Sequence, residues 1–276
     1  MFFGVLLPVA VLAGLIGSLS GMGGGIVLIP VLTSFGMDIK EAIAISNLST
    51  IAVSCSAAPG YVRRHMPNLK VVAYLEVFAV IGALGGALIT LVSQQQPLFL
   101  ICGAALLIFG VLLWRQKEKE WVPVSHQDVY SQRLEFEGSY YDHVENRTIA
   151  YRGTHALLAG ILMCGSGIVS GLVGIGGSAL TVLINDKIMG LPPKVSLTMS
   201  NLIIGVMAVA GANVYLEAGL INTNVIAPVI LGVPIGALLG AKWLVHLPNR
   251  VARVVFLVIL IALGMEMIIS GIRGFS

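Results

Sequence analysis

Two glycine-rich runs hold the groups in this chain best suited to bind a ligand: Gly21-Met-Gly-Gly-Gly25 and Gly174-Ile-Gly-Gly-Ser178. Consecutive glycines break a helix and leave backbone N–H groups unpaired, which an apolar environment tolerates only if protein, water or a ligand pairs them. A helix that restarts after such a break turns its N-terminus, with partial positive charge, toward the break. Backbone donors around Gly23, Gly24 and Gly25, and around Gly176, Gly177 and Ser178, would therefore receive an anion without a buried Lys or Arg. The other use of such glycines is tight helix packing. Their recurrence at equivalent positions, each before a short apolar segment, favours contact with a bound anion.

Polar clusters lie downstream of both runs: Ser46-Asn47 with Ser49 and Thr50, and Thr198 with Ser200-Asn201. Hydroxyls and amides donate to an oxyanion or hold a bridging water. They also bond helices to one another, and one group can serve both purposes. Lys40 and Lys194, at the starts of these segments, either snorkel to the interface or draw anions to each mouth. Glu76 and Glu266 are ionisable residues inside apolar blocks, where a charge is costly. Glu76, about two turns into its block, is the candidate for carrying a coupling proton; a simple hydrogen-bonded acid is the alternative.

Catalytic constellations are absent from the sequence: no His/Cys/Asp cluster has metal spacing, and neither GxSxG nor a P-loop occurs. No enzyme activity, metal or cofactor is expected. Cys55, Cys102 and Cys164 lie in apolar blocks without CxxC spacing, which suits small packing residues.

The elements that position these groups come in two copies. Residues 40–87 align without a gap to residues 194–241, always 154 positions apart, with 15 of 48 identical. Upstream the spacing is 153, which sets the two glycine runs opposite each other. The chain is 57% hydrophobic and only 11% charged, with a mean hydropathy of +0.95. A soluble domain carries about 25% charged residues, so this is a polytopic membrane protein. No basic patch with interleaved aromatics is present, so nucleic acid is not an expected partner.

Apolar blocks cover residues 2–19, 26–35, 42–61, 71–92 and 98–114, then 155–173, 179–184, 195–216, 225–247 and 251–272. A crossing needs about 20 apolar residues; the two blocks that follow the glycine runs are too short. Each either continues the preceding helix, giving parallel copies, or doubles back as half a hairpin, giving inverted copies. The positive-inside rule separates the two readings. With inverted copies, fourteen of the 16 Lys and Arg share one side, and only Lys40 and Arg273 lie opposite. The expected fold is therefore an all-α polytopic membrane protein of two inverted-topology repeats. Each repeat has a Gly-broken re-entrant-like helical hairpin plus three spanning helices. The repeats are residues 1–114 and 155–276, both termini face outside, and a cytoplasmic polar linker, 115–154, joins the repeats. Residues 115–152 hold 7 of 13 acidic and 6 of 16 basic residues, with at best a small hairpin near residues 134–141. A regulatory or partner-binding role for this loop is the alternative to simple joining.

The runs Gly17-Ser-Leu-Ser-Gly-Met-Gly-Gly-Gly25, Ile26-Val-Leu-Ile-Pro30 and Ala44-Ile-Ser-Asn-Leu48, with second copies at 171–178 and 198–202, resemble the sulfite exporter TauE/SafE family, also called the toluene sulfonate uptake permease family. The resemblance spans nearly the whole chain apart from the 115–152 loop. It implies a secondary transporter of sulfite or small sulfonates in a bacterial cytoplasmic (inner) membrane. The residues alone lead to an anion carrier, with a coupling proton as a partner. They do not name the anion, the direction or an oligomeric state. A passive anion channel, or a membrane subunit acting through its loop, are the competing readings.

Overall fold

The computed structural model describes residues 2–20, 23–63, 66–115, 127–142, 147–174, 177–221, 223–244 and 261–272. The first half contains α1 (Phe2–Ser20), α2 (Gly25–Ser34), α3 (Ile39–Val62), α4 (Leu69–Val92) and α5 (Gln95–Arg115). The connecting region forms α6 (Val129–Arg133) and strands β1 (Glu137–Asp142) and β2 (Arg147–Arg152). The second half contains α7 (Ala156–Val173), α8 (Ser178–Leu183) with a π-helical turn at Ile184–Ile188, α9 (Pro193–Glu217) and α10 (Thr223–Leu244). The last helix described, α11, covers Ile261–Ile272. Among the described residues each apolar block is helical, and the two short ones follow the glycine runs; residues 245–247 and 251–260 of the last two blocks lie outside the described residues.

Local chemistry sets these boundaries. The Asp38 carboxylate accepts from the Lys40 N–H at 2.7 Å and starts α3; the Asn68 side chain accepts from the N–H groups of Lys70 and Val71 and starts α4. Both are N-caps that satisfy otherwise orphaned donors. Pro193 opens α9 at a position where a missing N–H costs nothing. Gly174, at φ +68°, ends α7 in the left-handed conformation that glycine adopts without strain.

By length and composition α4, α7 and α9 are each able to cross a membrane. Large apolar side chains such as Val77, Ile81, Leu88, Ile161 and Leu231 are exposed on their outer faces and on α10. A surface of that kind is at home against lipid rather than water. The fold is that of a helical membrane protein, with the β1–β2 pair as its non-helical addition.

Packing between the halves follows the duplication. α1 packs on α10 and α4 on α7, while α3 packs on α9. Glycine makes these approaches possible, because a Cβ at the crossing would collide with the opposing backbone. A Cβ on Gly236 would lie 1.9 Å from Val11 O, and one on the equivalent Gly82 would lie 2.0 Å from Cys164 O. Gly14 and the equivalent Gly167 meet Val233 O and Ala79 O at 2.1 and 2.2 Å. Residue numbers rise together along both pairs, so α1 runs parallel to α10 and α4 to α7. The copies α3 and α9 run the other way: Asn47 faces Gly211, whereas Ser54 faces Gly205 and donates to Asn201 O at 2.7 Å. α5 and α11 are likewise antiparallel, with Gly103 against Gly264 and Phe99 against Gly271.

The connecting region is folded against both halves. Gly153 N–H donates to Phe136 O at 2.7 Å, and Thr154 N–H donates to Met189 O at 3.1 Å, beside the start of α9. Asn68, at the start of α4, donates to Glu137 O at 2.9 Å, and Lys70 pairs with Glu135. Phe136 and Tyr151 are buried with Met189 and Leu191, and Tyr74 packs edge-on against Phe136. Asp128 ties the start of this region down. Burial pushes its carboxyl up, but bonds from Ser131, the His155 N–H and Thr154 outweigh burial and hold it down at about 2. One end of the molecule therefore gathers the α3–α4 turn, the β1–β2 hairpin and the turn before α9.

Candidate functional site

Both short segments fold back along the helix that precedes them. Near the first run, a Cβ on Gly17 would meet Gly23 at 2.5 Å, and one on Gly24 would lie 3.5 Å from Ala13 O. Near the second, Ser166 of α7 donates to Gly177 O at 3.1 Å, and Thr181 of α8 lies 3.2 Å from the Ser166 hydroxyl. A continuing helix would carry these pairs many ångströms apart at 1.5 Å per residue.

The two hairpin tips touch. A Cβ on Gly25 would lie 2.7 Å from Gly174 O and 1.8 Å from Ser46 Oγ, and the Ser46 hydroxyl donates to Gly174 O. Residues on opposite ends of the duplication thus meet through one serine of α3. Gly23, at φ +77°, leaves no room for a side chain, since a Cβ would lie 2.5 Å from Thr50 Oγ1. Gly177, at φ +55°, is equally confined by Ser166 O at 2.9 Å. Neither Gly24 at the N-cap of α2 nor Gly177 at that of α8 is assisted by a side-chain cap. Gly176 lies outside the described residues, as do Gly21, Met22 and Ile175.

The polar clusters are buried beside these tips. Ser46, Asn47, Ser49, Thr50, Thr198, Ser200 and Asn201 are each at most 4% exposed. Several are occupied locally: Ser49 and Thr50 donate to Ser46 O, Thr198 to Val195 O, and Asn47 to Ile43 O. Such back-bonding satisfies a hydroxyl within its own helix. Ser200 donates to Ser178 O at 3.2 Å, bracing the second tip against α9. The Asn201 Oδ1 and the Ser178 hydroxyl are buried without a partner among the described residues.

The other sequence candidates lie away from the tips. Lys40 donates to Leu91 O at the end of α4, at 2.7 Å, where a cation also complements the helix dipole. Glu76 is half-buried on α4 and makes none of the hydrogen bonds or ion pairs seen among the described residues. Glu266 of α11 meets the Ser34 hydroxyl at the end of α2 at 3.1 Å. Cys55, Cys102 and Cys164 are all free thiols.

Ser166, Ser170, Thr181 and Asn185 escape a reading based on what the copies share, because all four belong to the second copy alone. They line the second hairpin and are at most 2% exposed. The signal that finds them is the difference between copies rather than their identity.

Similarity to known proteins agrees with this architecture. The chain is 24% identical over 280 residues to the "Probable membrane transporter protein YunE" of Bacillus subtilis (strain 168), covering 99% of both chains. It is 27% identical over 255 residues to "Probable membrane transporter protein YdhB" of the same organism, covering 90% of this chain and 93% of that one. Over 108 residues it is 33% identical to "Probable membrane transporter protein YfcA" of Escherichia coli (strain K12), covering 37% of this chain and 40% of that one. No solved structure matches. The profile of the sulfite exporter TauE/SafE family matches residues 6–267, and the chain belongs to that family of membrane transporters.

Proposed function

We propose that this chain is a secondary transporter of a small oxyanion, sulfite or a small sulfonate, held where the two hairpin tips meet and moved by alternating access. The observation that carries the reading is the contact of Gly25 with Gly174 O through Ser46. Two helix breaks there bring backbone amides and buried hydroxyls together, a neutral donor set suited to an anion. Substrate contacts are assigned to Gly23, Gly24, Gly25, Ser46 and Asn47 in one half. Their counterparts are Gly176, Gly177, Ser178, Thr198, Ser200 and Asn201. The sulfur oxyanion comes from the family, not from the geometry.

Antiparallel packing of the copied helices α3 and α9, and of α5 and α11, supports an inverted pair. So does the folding back of α2 and α8. Rocking of one repeat against the other would expose the tips to each side in turn. Lys70 and Lys194, at the starts of α4 and α9, and Lys187, in the π-helical turn before α9, lie at one end of the molecule with the β1–β2 hairpin, and Lys40 belongs to the other. That separation supports a cytoplasmic hairpin and external termini in a bacterial inner membrane. Glu76 is the proposed carrier of a coupling proton.

Reconstitution in proteoliposomes tests this reading. Saturable exchange of unlabelled for labelled sulfite or sulfonate is expected. Ohmic anion current without saturation would refute a carrier and leave a passive channel. Transport unaffected by deletion of the connecting region would exclude an obligatory role for that region.

A further inference from the structure

Comparing the copies position by position shows that the two hairpins are chemically unequal. Ser166, Ser170, Ser178, Thr181 and Asn185 stand where the first copy has Ala13, Gly17, Gly25, Leu28 and Leu32. Five polar residues on one hairpin thus correspond in the alignment to five apolar or glycine residues on the other, and all five are at most 2% exposed. Three of them leave buried polar atoms without a partner among the described residues: Ser170 Oγ, Ser178 Oγ, and both Nδ2 and Oδ1 of Asn185. A buried polar group without a partner costs about 1–3 kcal/mol. Four such atoms on one hairpin of a membrane protein point to a ligand rather than to packing.

The three residues follow one another along the second hairpin. The Ser170 Cβ sits beside the second glycine tip, 3.3 Å from where a Cβ on Gly177 would be. Ser178 begins the returning segment, and Asn185 lies two turns further along it, in the π-helical turn Ile184–Ile188. π-bulges concentrate at functional sites, because the extra residue re-aims a side chain. Thr181, between Ser178 and Asn185, lies 3.2 Å from the Ser166 hydroxyl of α7, which keeps the segment against that helix.

The remaining chemistry identifies the ligand. A cation would need several free carbonyl oxygens, and those of Gly177 and Ser178, among the described residues of the tip, are engaged. Gly177 O accepts from Ser166, from the Thr181 hydroxyl and from the Thr181 N–H, while Ser178 O accepts from Ser200. What is left is two hydroxyl donors and one carboxamide. Neutral dipoles offset one buried charge far better than two.

We propose that Ser170, Ser178 and Asn185 form a binding file for a small, singly charged oxyanion on the second hairpin, leaving the first hairpin as the apolar wall against which the anion moves. This rests on the transporter reading above and extends it: the contacts that set affinity lie in one copy, and two of the three residues are new to the site.

The test uses the full chain purified in detergent and reconstituted in vesicles. Hydrogensulfite, the form of sulfite below its second ionisation, and methanesulfonate serve as the singly charged probes, assayed at mildly acidic pH, with sulfate as the dianion. Ser170→Ala, Ser178→Ala and Asn185→Leu each remove one free contact; Asn185→Leu installs the residue that the first copy tolerates fully buried. Half-saturation for either monoanion is expected to rise about tenfold or more in each variant, the loss of one hydrogen bond to a charged group. Ser166→Ala, which removes a structural bond, should lower thermal stability without moving half-saturation. Asn185→Ala repeats the measurement should the leucine fail to fit. If these polar residues serve packing alone, Asn185→Leu leaves affinity unchanged and raises stability; that result overturns the file. Equal protection of the wild-type chain by sulfate overturns the assignment of a single charge. A wild-type chain that transports neither monoanion fails at the transporter reading instead, which separates the two failures.

Discussion

Adding one methyl group at Gly25 probes the meeting of the hairpin tips most directly. An alanine Cβ would lie 1.8 Å from Ser46 Oγ and 2.7 Å from Gly174 O. Ser46 can rotate aside, but it then gives up its bond to Gly174 O, a loss of about 1 kcal/mol. The carbonyl belongs to the backbone and has no such freedom. Restoring an ordinary contact of about 3.5 Å requires the tips to part by about 0.8 Å. Overpacking on that scale costs about 1–3 kcal/mol, so Gly25→Ala should destabilise by roughly 2–4 kcal/mol in all. In apparent melting temperature this is a fall of roughly 5–15 °C. Gly85→Ala is the matched control: its Cβ meets nothing within 4 Å, and a helical alanine there should gain about 0.5–1 kcal/mol. Melting in detergent and anion flux in vesicles are measured for both variants and for Ser46→Ala, which loses the hydrogen bond to Gly174 O and the proposed substrate contact without adding bulk. The expected order of stability is Gly85→Ala, wild type, Ser46→Ala, Gly25→Ala, with flux reduced in Ser46→Ala and lost in Gly25→Ala. Should Gly25→Ala melt and transport like Gly85→Ala, the tips do not meet as described, and the site built on them fails.

Three further outcomes are expected. Gly24→Val and Gly177→Val should abolish flux while leaving membrane insertion intact; undiminished flux in either would return these glycines to helix packing. Glu76→Gln should flatten the pH dependence of transport, and an unaltered profile would remove Glu76 from coupling. Asp128→Asn should loosen the connecting region. The Asp128 carboxyl is held at about 2, against an ordinary value of 3.8, so its contribution is fully present above the ordinary value and is lost as pH falls toward 2. Limited proteolysis should find the β1–β2 hairpin of the wild type protected throughout pH 5–7 and that of Asp128→Asn cleaved faster across the same range. Equal cleavage rates would show that the carboxylate does not anchor it.

The candidate site was only half legible before the fold was in hand. The glycine runs and the Ser-Asn pairs at 46–47 and 200–201 stand out because duplication prints them twice. Ser170 and Asn185 do not, since they break the duplication, and a search for shared residues passes over them. By sequence Ser49, Thr50 and Thr198 could contact an oxyanion or bond to another helix; the structure turns each hydroxyl back to a carbonyl of its own helix. Whether a serine donates along its helix or across to another depends on what stands opposite, and that neighbour is far away in sequence. Lys40 shows the same limit: its partner, Leu91 O, is 51 residues away.

What the chain determined by itself was everything that depends on the run of neighbouring residues. Block lengths decided which segments form long helices and which stop short. Asp38 and Asn68 decided where α3 and α4 begin, and the glycines at 23–25, Gly174 and Gly177 decided where helices break. Tertiary structure decided the rest. It folded α2 and α8 back along α1 and α7, set α3 against α9 in opposite directions, and brought Gly25 to Gly174 O through Ser46. It also packed the β1–β2 hairpin on the turns of both halves. The physical reason is range: helix formation and capping act over a few residues, whereas close approach needs small residues on two surfaces at once. No single segment of sequence contains both of those surfaces.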